Sequence, residues 1–399
     1  MCTNFLLSVP SNPGNLPAST LHVSARCLEL TGHMPTSLYR IPRDQSFPLT
    51  KSSPRWLHNP ARWSNRYGFI GIANPQIFKE MPCFMDGLNE RGLSFGALWL
   101  PGTSYPQSSA GLQNQVAFYD LGAWVLGQFE TVDEVRAALE NIRLVGPPTP
   151  TTNAQDLLSH YLPLHFIVTD ARGKSLVLEC VDGKVALYPR AGHEGETDDG
   201  VLTNAPTYDW QRINLTNYQH LAVTGPATSV VHSSGIVGNG LLGMPGDSMS
   251  ASRFVKAATL RKGYGLLPAS GQGWLPAPAG GESGYASSEQ TVVNAAMQLV
   301  QIVQTTPYGT ALVVDDKAKE LKVGDWTMWS VVRDHTHRKL YFTTAFNGIM
   351  RVVALDAIDF DTQVVDDDYA TLALLPEPES FAWCEDVTGR LKVGETELA

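Results

Sequence analysis

Long apolar runs are missing from this chain. No stretch of about 18 uninterrupted apolar residues occurs in its 399, so no transmembrane helix is expected. Basic clusters are missing too: 29 Lys and Arg stand against 39 Asp and Glu, for a formal net charge of -10. A surface that tracks phosphates is therefore not expected, and nucleic acid is not a partner. Cysteine is sparse. The five thiols, Cys2, Cys27, Cys83, Cys180 and Cys384, are odd in number and widely spaced, with no C-x-x-C pair. That excludes a zinc ribbon and a thioredoxin-type site, and argues against a disulfide framework at this length. No cleavable signal peptide is visible. The expected location is cytoplasmic if Met1 is the native start, and periplasmic if a signal was trimmed ahead of it.

With 43% hydrophobic and 17% charged residues, the composition is that of an ordinary globular chain. A chain this long buries roughly three quarters of its unfolded surface and can build a large core without metals or disulfides. Cys2–Val9 reads as an apolar strand and Leu21–Leu30 as a second, joined in a hairpin through Pro10–Pro17. Residues 31–66 carry several prolines and weak periodicity and read mostly as loop. Tyr67–Asn74 and Leu93–Leu100 read as strands, with Asp86-Gly87 and Arg91-Gly92 as turn signals before the second.

Leu121, Trp124, Val125 and Phe129 fall at helical spacing, and Thr131-x-x-Glu134 forms a capping box ahead of a second helix. Gly146–Asn153 reads as a Pro/Thr linker. Leu164–Thr169 and Ser175–Cys180 form a hairpin around Asp170–Gly173, continued by Val185–Tyr188. Ser252–Lys262 and Ser288–Gln304 read as helices. Gly263–Gly284 between them is a Gly/Pro-rich excursion or lid. Ala311–Val314, Trp326–Asp334, Lys339–Phe346 and Met350–Leu355 read as C-terminal strands. No internal repeat is visible. The order predicts an α+β architecture of antiparallel sheets covered by helices, in one domain over 1–399.

Three motif matches fail on context. Gly238-Asn-Gly240-Leu-Leu-Gly243 fits the dinucleotide fingerprint, but Pro245 follows at once and no acid stands between Asp247 and Glu282. Gly92-Leu-Ser94-Phe-Gly96 fits a serine nucleophile elbow, but a turn enters it and an apolar strand leaves, the reverse of what an elbow needs. His335-x-His337 lies in a charged turn with no third ligand near in sequence and reads as solvated. Asn214-Leu-Thr216 is a glycosylation sequon without a known compartment.

Cys2 has a special address. Methionine is readily trimmed before a small residue, and trimming leaves one residue with both a thiol and a free α-amine. Their reference pKa values, about 8.5 and about 7.7–8.0, both lie near neutrality. The amine can take the thiol's proton and return it to a leaving group, so no separate histidine base is required.

Motifs in order along the chain support that reading: Met1-Cys2-Thr3, Ala25-Arg26-Cys27-Leu28-Glu29, Met85-Asp86-Gly87-Leu88-Asn89-Glu90-Arg91-Gly92-Leu93, Leu202-Thr203-Asn204-Ala205-Pro206-Thr207-Tyr208-Asp209-Trp210, Gly243–Asp247 and Ser252-Arg253-Phe254. Together they resemble the choloylglycine hydrolase family, which includes bile salt hydrolases and penicillin V acylases. The resemblance implies the αββα four-layer sandwich of N-terminal-nucleophile hydrolases. It also implies hydrolysis of a linear carbon–nitrogen amide through an acyl-thioester, no metal or organic cofactor, a small acyl-amide substrate and a homo-oligomer, commonly a tetramer.

The resemblance also implies roles residue by residue. Cys2 is the nucleophile, and the fixed charge of Arg26 favours its thiolate. Glu29, where the family more often has Asp, holds the α-amine. Asn204 donates to the developing oxyanion. Arg253 stabilises charge near the scissile amide or locks Asn204. Asp209 and Trp210 support the loop. In Ala97-Leu98-Trp99-Leu100-Pro101, Trp99 stands where bile salt hydrolases carry Asn, as in penicillin V acylases of Gram-negative bacteria. Leu98 and Trp99 would then line the acyl site, which favours penicillin V or N-acyl homoserine lactones over conjugated bile salts. The rival readings are a bile salt hydrolase of the same family, a Ser94 esterase, and a non-catalytic protein that binds acyl amides.

Overall fold

The structure, a computed structural model, describes residues 2–10, 20–49, 54–148, 162–190, 200–223, 240–265, 288–306, 312–315 and 320–385. Strands β1 Cys2–Pro10, β2 Thr20–Leu30, β3 Thr36–Ile41, β4 Ser46–Phe47, β5 Trp63–Ser64, β6 Phe69–Ala73, β7 Asp86–Asn89, β8 Ser94–Trp99, β9 Gln115–Ala117 and β10 Arg143–Val145 come first. They are followed by β11 Leu164–Thr169, β12 Ser175–Val181, β13 Lys184–Arg190, β14 Leu312–Asp315, β15 Glu320–Val323, β16 Trp326–Asp334, β17 Lys339–Thr344, β18 Asn347–Ala354 and β19 Thr371–Leu375. The helices are α1 Leu121–Gln128, α2 Val132–Ala138, α3 Tyr208–Leu215, α4 Ser250–Gly265 and α5 Ser288–Val303.

Two large sheets dominate. One has five strands in the order β1-β2-β16-β17-β18; the other has eight, in the order β13-β12-β11-β8-β7-β6-β3-β19. Helices α4 and α5 cover the first sheet against β1, β2 and β16, while α1 and α2 cover the second against β7, β8 and β12. The layers therefore run helix, sheet, sheet, helix, the expected α+β four-layer αββα sandwich.

Register decides which residues face the other sheet. Strand β1 pairs antiparallel with β2, Cys2 opposite Leu28 and Asn4 opposite Arg26. Residues opposite one another share a face, so Cys2, Asn4, Ser24, Arg26 and Leu28 lie on one side and Thr3, Phe5, Cys27 and Glu29 on the other. The first face turns to the eight-stranded sheet, where Arg26 bonds to residues of β7 and β8. The second turns to α4, where Arg253 bonds to Thr3 Oγ1.

The described residues of 31–66 are mostly loop, as expected, apart from β3, β4 and β5. Within them β3 pairs with both β6 and β19 inside the large sheet; its prolines, Pro35 and Pro42, flank the strand and do not interrupt it. Several expectations need correction. Asp86-Gly87 is not a turn but the start of β7, fully buried. Helix α3 and strand β19 have no counterpart in the reading of the sequence. The Thr131 capping box forms with both of its bonds. Helix α4 runs through Gly263–Gly265, so the first residues of the expected excursion are helical; residues 266–284 lie outside the described residues, as do Gly238 and residues 149–153 of the Pro/Thr linker. Among the described residues no helix is long and apolar enough to cross a membrane.

Candidate active site

Cys2 opens strand β1 and is buried against the second sheet. Beyond β1, the chain returns alongside it: Asn4 and Leu202 exchange both backbone bonds, at 2.7 and 2.9 Å. That register carries two residues further to set Asn204 opposite Cys2. The Cys2 main-chain N–H donates to Asn204 Oδ1 at 2.5 Å. On the inner side Arg26 Nη2 lies 3.6 Å from Cys2 Sγ. One residue thus meets a cation at its sulfur and a carboxamide oxygen at its nitrogen.

The Asn204 amide is oriented by its neighbours. Its oxygen accepts from Cys2 N and from Arg253 Nη2 at 2.8 Å, and its nitrogen donates to the Trp99 carbonyl at 2.6 Å. The opposite orientation would face donors with a donor, so the network fixes which end is oxygen. A carboxamide nitrogen carries two hydrogens, and the Trp99 bond uses one of them. Trp99 itself is half-buried at the end of β8. The Ala97 N–H goes to Met85 O and the Leu100 N–H to Pro163 O. Strand alternation therefore turns the Trp99 N–H to the side of Ala97, where the Trp99 carbonyl receives Asn204.

Arg253, on α4, is fully buried. Its guanidinium donates to Cys2 O at 2.6 Å, to Thr3 Oγ1, to Asn204 Oδ1 and to Ser248 O. Of the two roles expected for it, locking Asn204 is the one its contacts describe. Glu29 lies on the helix-facing side of β2, where Thr327 Oγ1 donates to its Oε1 at 2.7 Å and Arg253 Nη1 stands 4.0 Å from its Oε2. Leu98 is fully buried in the core that also holds Cys2. Asp209 accepts from Thr207 Oγ1 and from its neighbour Trp210 N, both at the head of α3. Trp210 is exposed.

Two residues missed by sequence reasoning complete the charge pattern. Asp86 Oδ2 accepts from Arg26 Nη1 at 3.0 Å and from Arg333 Nη2 at 2.8 Å, all three side chains fully buried. Arg333 also donates to Asn4, Ser24 and Ser94. Arg26 further donates to Met85 O and Ala97 O and lies 5.4 Å over the Trp329 ring. Burial pulls the Arg26 value down, but the charges of Cys2 and Asp86 outweigh it and leave it above the ordinary guanidinium value. Arg333 is pulled below its ordinary value, first by burial and then by Arg26, with Asp86 opposing. Since Arg333 shares the Asp86 carboxylate, Asp86 does not cancel Arg26 alone. Beside Cys2, the buried Arg26 and Arg253 bring positive charge, and their partners Asp86 and Glu29 bring negative charge.

Three other thiols are deeply buried. Burial pushes Cys83 and Cys180 up to about 12, and Cys27 well above its ordinary value, with Glu29 adding to the last. They stay protonated at neutral pH and are poor nucleophiles. Cys384 is exposed. Ser94 is buried at the head of β8, after a turn at Gly92 with φ +82°, and its hydroxyl bonds to Thr169 O and Arg333, with no histidine partner among the described residues. His335 corrects the expectation of a solvated turn: it is buried between Gly92 O and Ser24 Oγ, both at 2.8 Å. Burial pushes it down to about 3, so its ring is neutral. His337 does lie near two carboxylates, Asp334 and Glu289, with ligand atoms within 4.8 Å of one another. Lys339 Nζ already stands 2.7 Å from Glu289 and supplies the positive charge there.

Comparison with known proteins identifies the family. Residues 18–266 match the family model described as linear amide C-N hydrolases, choloylglycine hydrolase family. A bile salt hydrolase/transferase of Clostridium perfringens is 30% identical over 269 residues, covering 65% of this chain and 72% of that protein. A penicillin V acylase of Pectobacterium atrosepticum is 26% identical over 362 residues, covering 90% of this chain and 82% of that protein. Among solved structures, a mutant conjugated bile acid hydrolase from Clostridium perfringens superposes with a TM-score of 0.67 at 23% identity, over 93% of this chain and 96% of that one. A penicillin V acylase from Agrobacterium tumefaciens gives 0.61 at 20% identity, over 94% and 91%. These two likenesses bear on the fold. The chain belongs to the choloylglycine hydrolase family and is a hydrolase of linear carbon–nitrogen amide bonds.

Proposed function

We propose that the chain, once Met1 is removed, cleaves a linear acyl amide of the penicillin V or N-acyl homoserine lactone type, with Cys2 as nucleophile. The observation that carries this reading is the pair of contacts on one residue: Arg26 at 3.6 Å from the Cys2 sulfur and Asn204 at 2.5 Å from its nitrogen. The α-amine takes the thiol proton, and Cys2 Sγ attacks the amide carbonyl. The oxyanion that develops is met by the second Asn204 N–H and the Trp99 N–H. Collapse breaks the C–N bond, and the amine leaves with the proton returned by the Cys2 nitrogen. Water, activated by the same nitrogen, then hydrolyses the acyl-thioester and frees the acid. Arg26, 3.6 Å from Sγ, presents a fixed positive charge to the attacking sulfur.

The substrate class rests on Trp99, whose half-buried ring at the end of β8 offers a flat apolar wall to an acyl or phenoxy group. The penicillin V acylase relative covers 90% of this chain, in keeping with that choice. A second reading, hydrolysis of conjugated bile salts, is favoured by the 30% identity to the bile salt hydrolase/transferase. The test is turnover of penicillin V, an N-acyl homoserine lactone and glycocholate, alongside intact mass and N-terminal sequencing of the same sample. The expected result is a chain beginning at Cys2 with kcat/KM highest on one of the first two. Preference for glycocholate would select the second reading. Full activity in Cys2→Ala would refute the mechanism.

A further inference from the structure

Asn204 has to be held closely if its amide is to meet an oxyanion, since a misplacement of about 1 Å costs on the order of 10²-fold in rate. The loop that carries it, Thr203–Thr207, joins the strand-like return beside β1 to helix α3. Behind this loop lies a buried histidine–carboxylate pair that the reaction above does not use. His165 on β11 and Glu179 on β12 are both fully buried. The antiparallel register that sets Phe166 opposite Leu178 brings them face to face. His165 Nδ1 lies 2.8 Å from Glu179 Oε1, and His165 Nε2 lies 2.8 Å from the carbonyl oxygen of Thr203. Both Glu179 oxygens accept from Tyr208 N, at 3.0 and 3.1 Å.

We infer that His165 and Glu179 form a positioning dyad that anchors both ends of the Asn204 loop to the eight-stranded sheet and so sets the oxyanion donor. The ring holds the residue before Asn204; the carboxylate holds the first residue of α3. The Thr203 carbonyl can only accept, so Nε2 carries a proton, and a further proton lies between Nδ1 and Oε1. Ser250 and Gln211 close the loop from the other side. Asn204 N donates to Ser250 Oγ, Ser250 Oγ donates to Thr203 Oγ1, and Gln211 Nε2 reaches Asn204 O. The dyad touches neither Cys2 nor any reacting atom, so its effect passes through Asn204. The inference rests on the oxyanion role proposed for that residue.

The test uses two double variants that carry no buried charge and differ by one methylene. In His165→Gln with Glu179→Gln, the new side chain reaches as far as Nε2 and keeps a donor on Thr203 O. In His165→Asn with Glu179→Gln, it reaches only as far as Nδ1 and leaves that carbonyl unpaired. The expected kcat of the first exceeds that of the second by roughly 10–100-fold, with KM and the rate of Cys2 alkylation by iodoacetamide each within about twofold. Equal kcat per titrated thiol, with only the melting temperature differing, would overturn the inference and leave the pair a purely structural one. Asn204→Ala is assayed in parallel. If it retains turnover, the oxyanion reading itself fails; if it loses turnover while the two double variants match, only the dyad fails.

Discussion

Asp86 holds two arginines on one carboxylate oxygen, and all three side chains are fully buried. Removing its charge would leave Arg26 and Arg333 buried and uncompensated. Breaking such a cluster costs about 3–5 kcal/mol. Asp86→Asn is therefore expected to lose about that much stability, read as the midpoint of urea denaturation. Asp120 behaves in the opposite way. It is buried at the head of α1, its Oδ1 has no hydrogen-bond partner among the described residues, and burial pushes the carboxyl up to about 8. Because the folded value lies above the unfolded one, the protonated group costs nothing below about pH 4. Stability is then lost as pH rises from there through about 8. Asp120→Asn, which keeps the shape, is expected to be more stable than the parent by roughly 1–3 kcal/mol at pH 8 and indistinguishable from it near pH 4, measured by denaturation at both.

At the same scale, Cys2, Arg26, Asn204 and Arg253 were legible because each stands in a short, ordered motif, and the fold brings all four together. Arg333 was not. Its strand reads as an unremarkable apolar run, and its partner Asp86 lies 247 residues away. His165 and Glu179 were hidden for the same reason: a strand histidine and a strand glutamate announce nothing until the register sets them opposite each other.

Among the elements, the ones longest in sequence and most regular in pattern were read well. Strands β1, β2, β11, β12 and β16, together with helices α4 and α5, fall close to their expected ranges. Strand β7 was lost because Asp86-Gly87-Leu88-Asn89 has one large apolar residue and three that usually mark turns. Tertiary partners override that preference. Asp86 has its arginines, Gly87 packs under Leu126, and Asn89 Nδ2 donates to Leu126 O and Phe129 O at the end of α1. The turn from β7 into β8 depends on Gly92. Its φ is +82°, and a Cβ there would come within 2.4 Å of the His335 carbonyl oxygen. Gly92→Ala is expected to cost more than about 1 kcal/mol through strain and displacement of His335, seen as a lower melting temperature. Thr131→Ala, which removes the cap of α2, is expected to cost about 0.5–2 kcal/mol by the same measurement, with turnover unchanged.

Across the whole molecule, two sheets meet over a mainly apolar core that turns polar at the His165–Glu179 pair and where Cys2 lies. There the polar seam of Arg26, Asp86, Arg333, Asn4 and Ser24 runs between them, and α4 adds Arg253 from outside. The sandwich thus delivers charge to one strand end from both of its faces. The alternation of strands and helices pointed to covered antiparallel sheets, but their pairing order could not be read from one chain, since β3, β16 and β19 join neighbours distant in sequence. In the mechanism proposed above, the sulfur and the nitrogen of Cys2 share the chemistry. That sharing is tested most directly by quenching the enzyme with acid during turnover of a slow acyl amide and mapping the adduct by mass spectrometry. The expected species is a chain lacking Met1 with the acyl group on the peptide that begins at Cys2. An acyl group on Ser94, or full turnover by a chain that retains Met1, would contradict it.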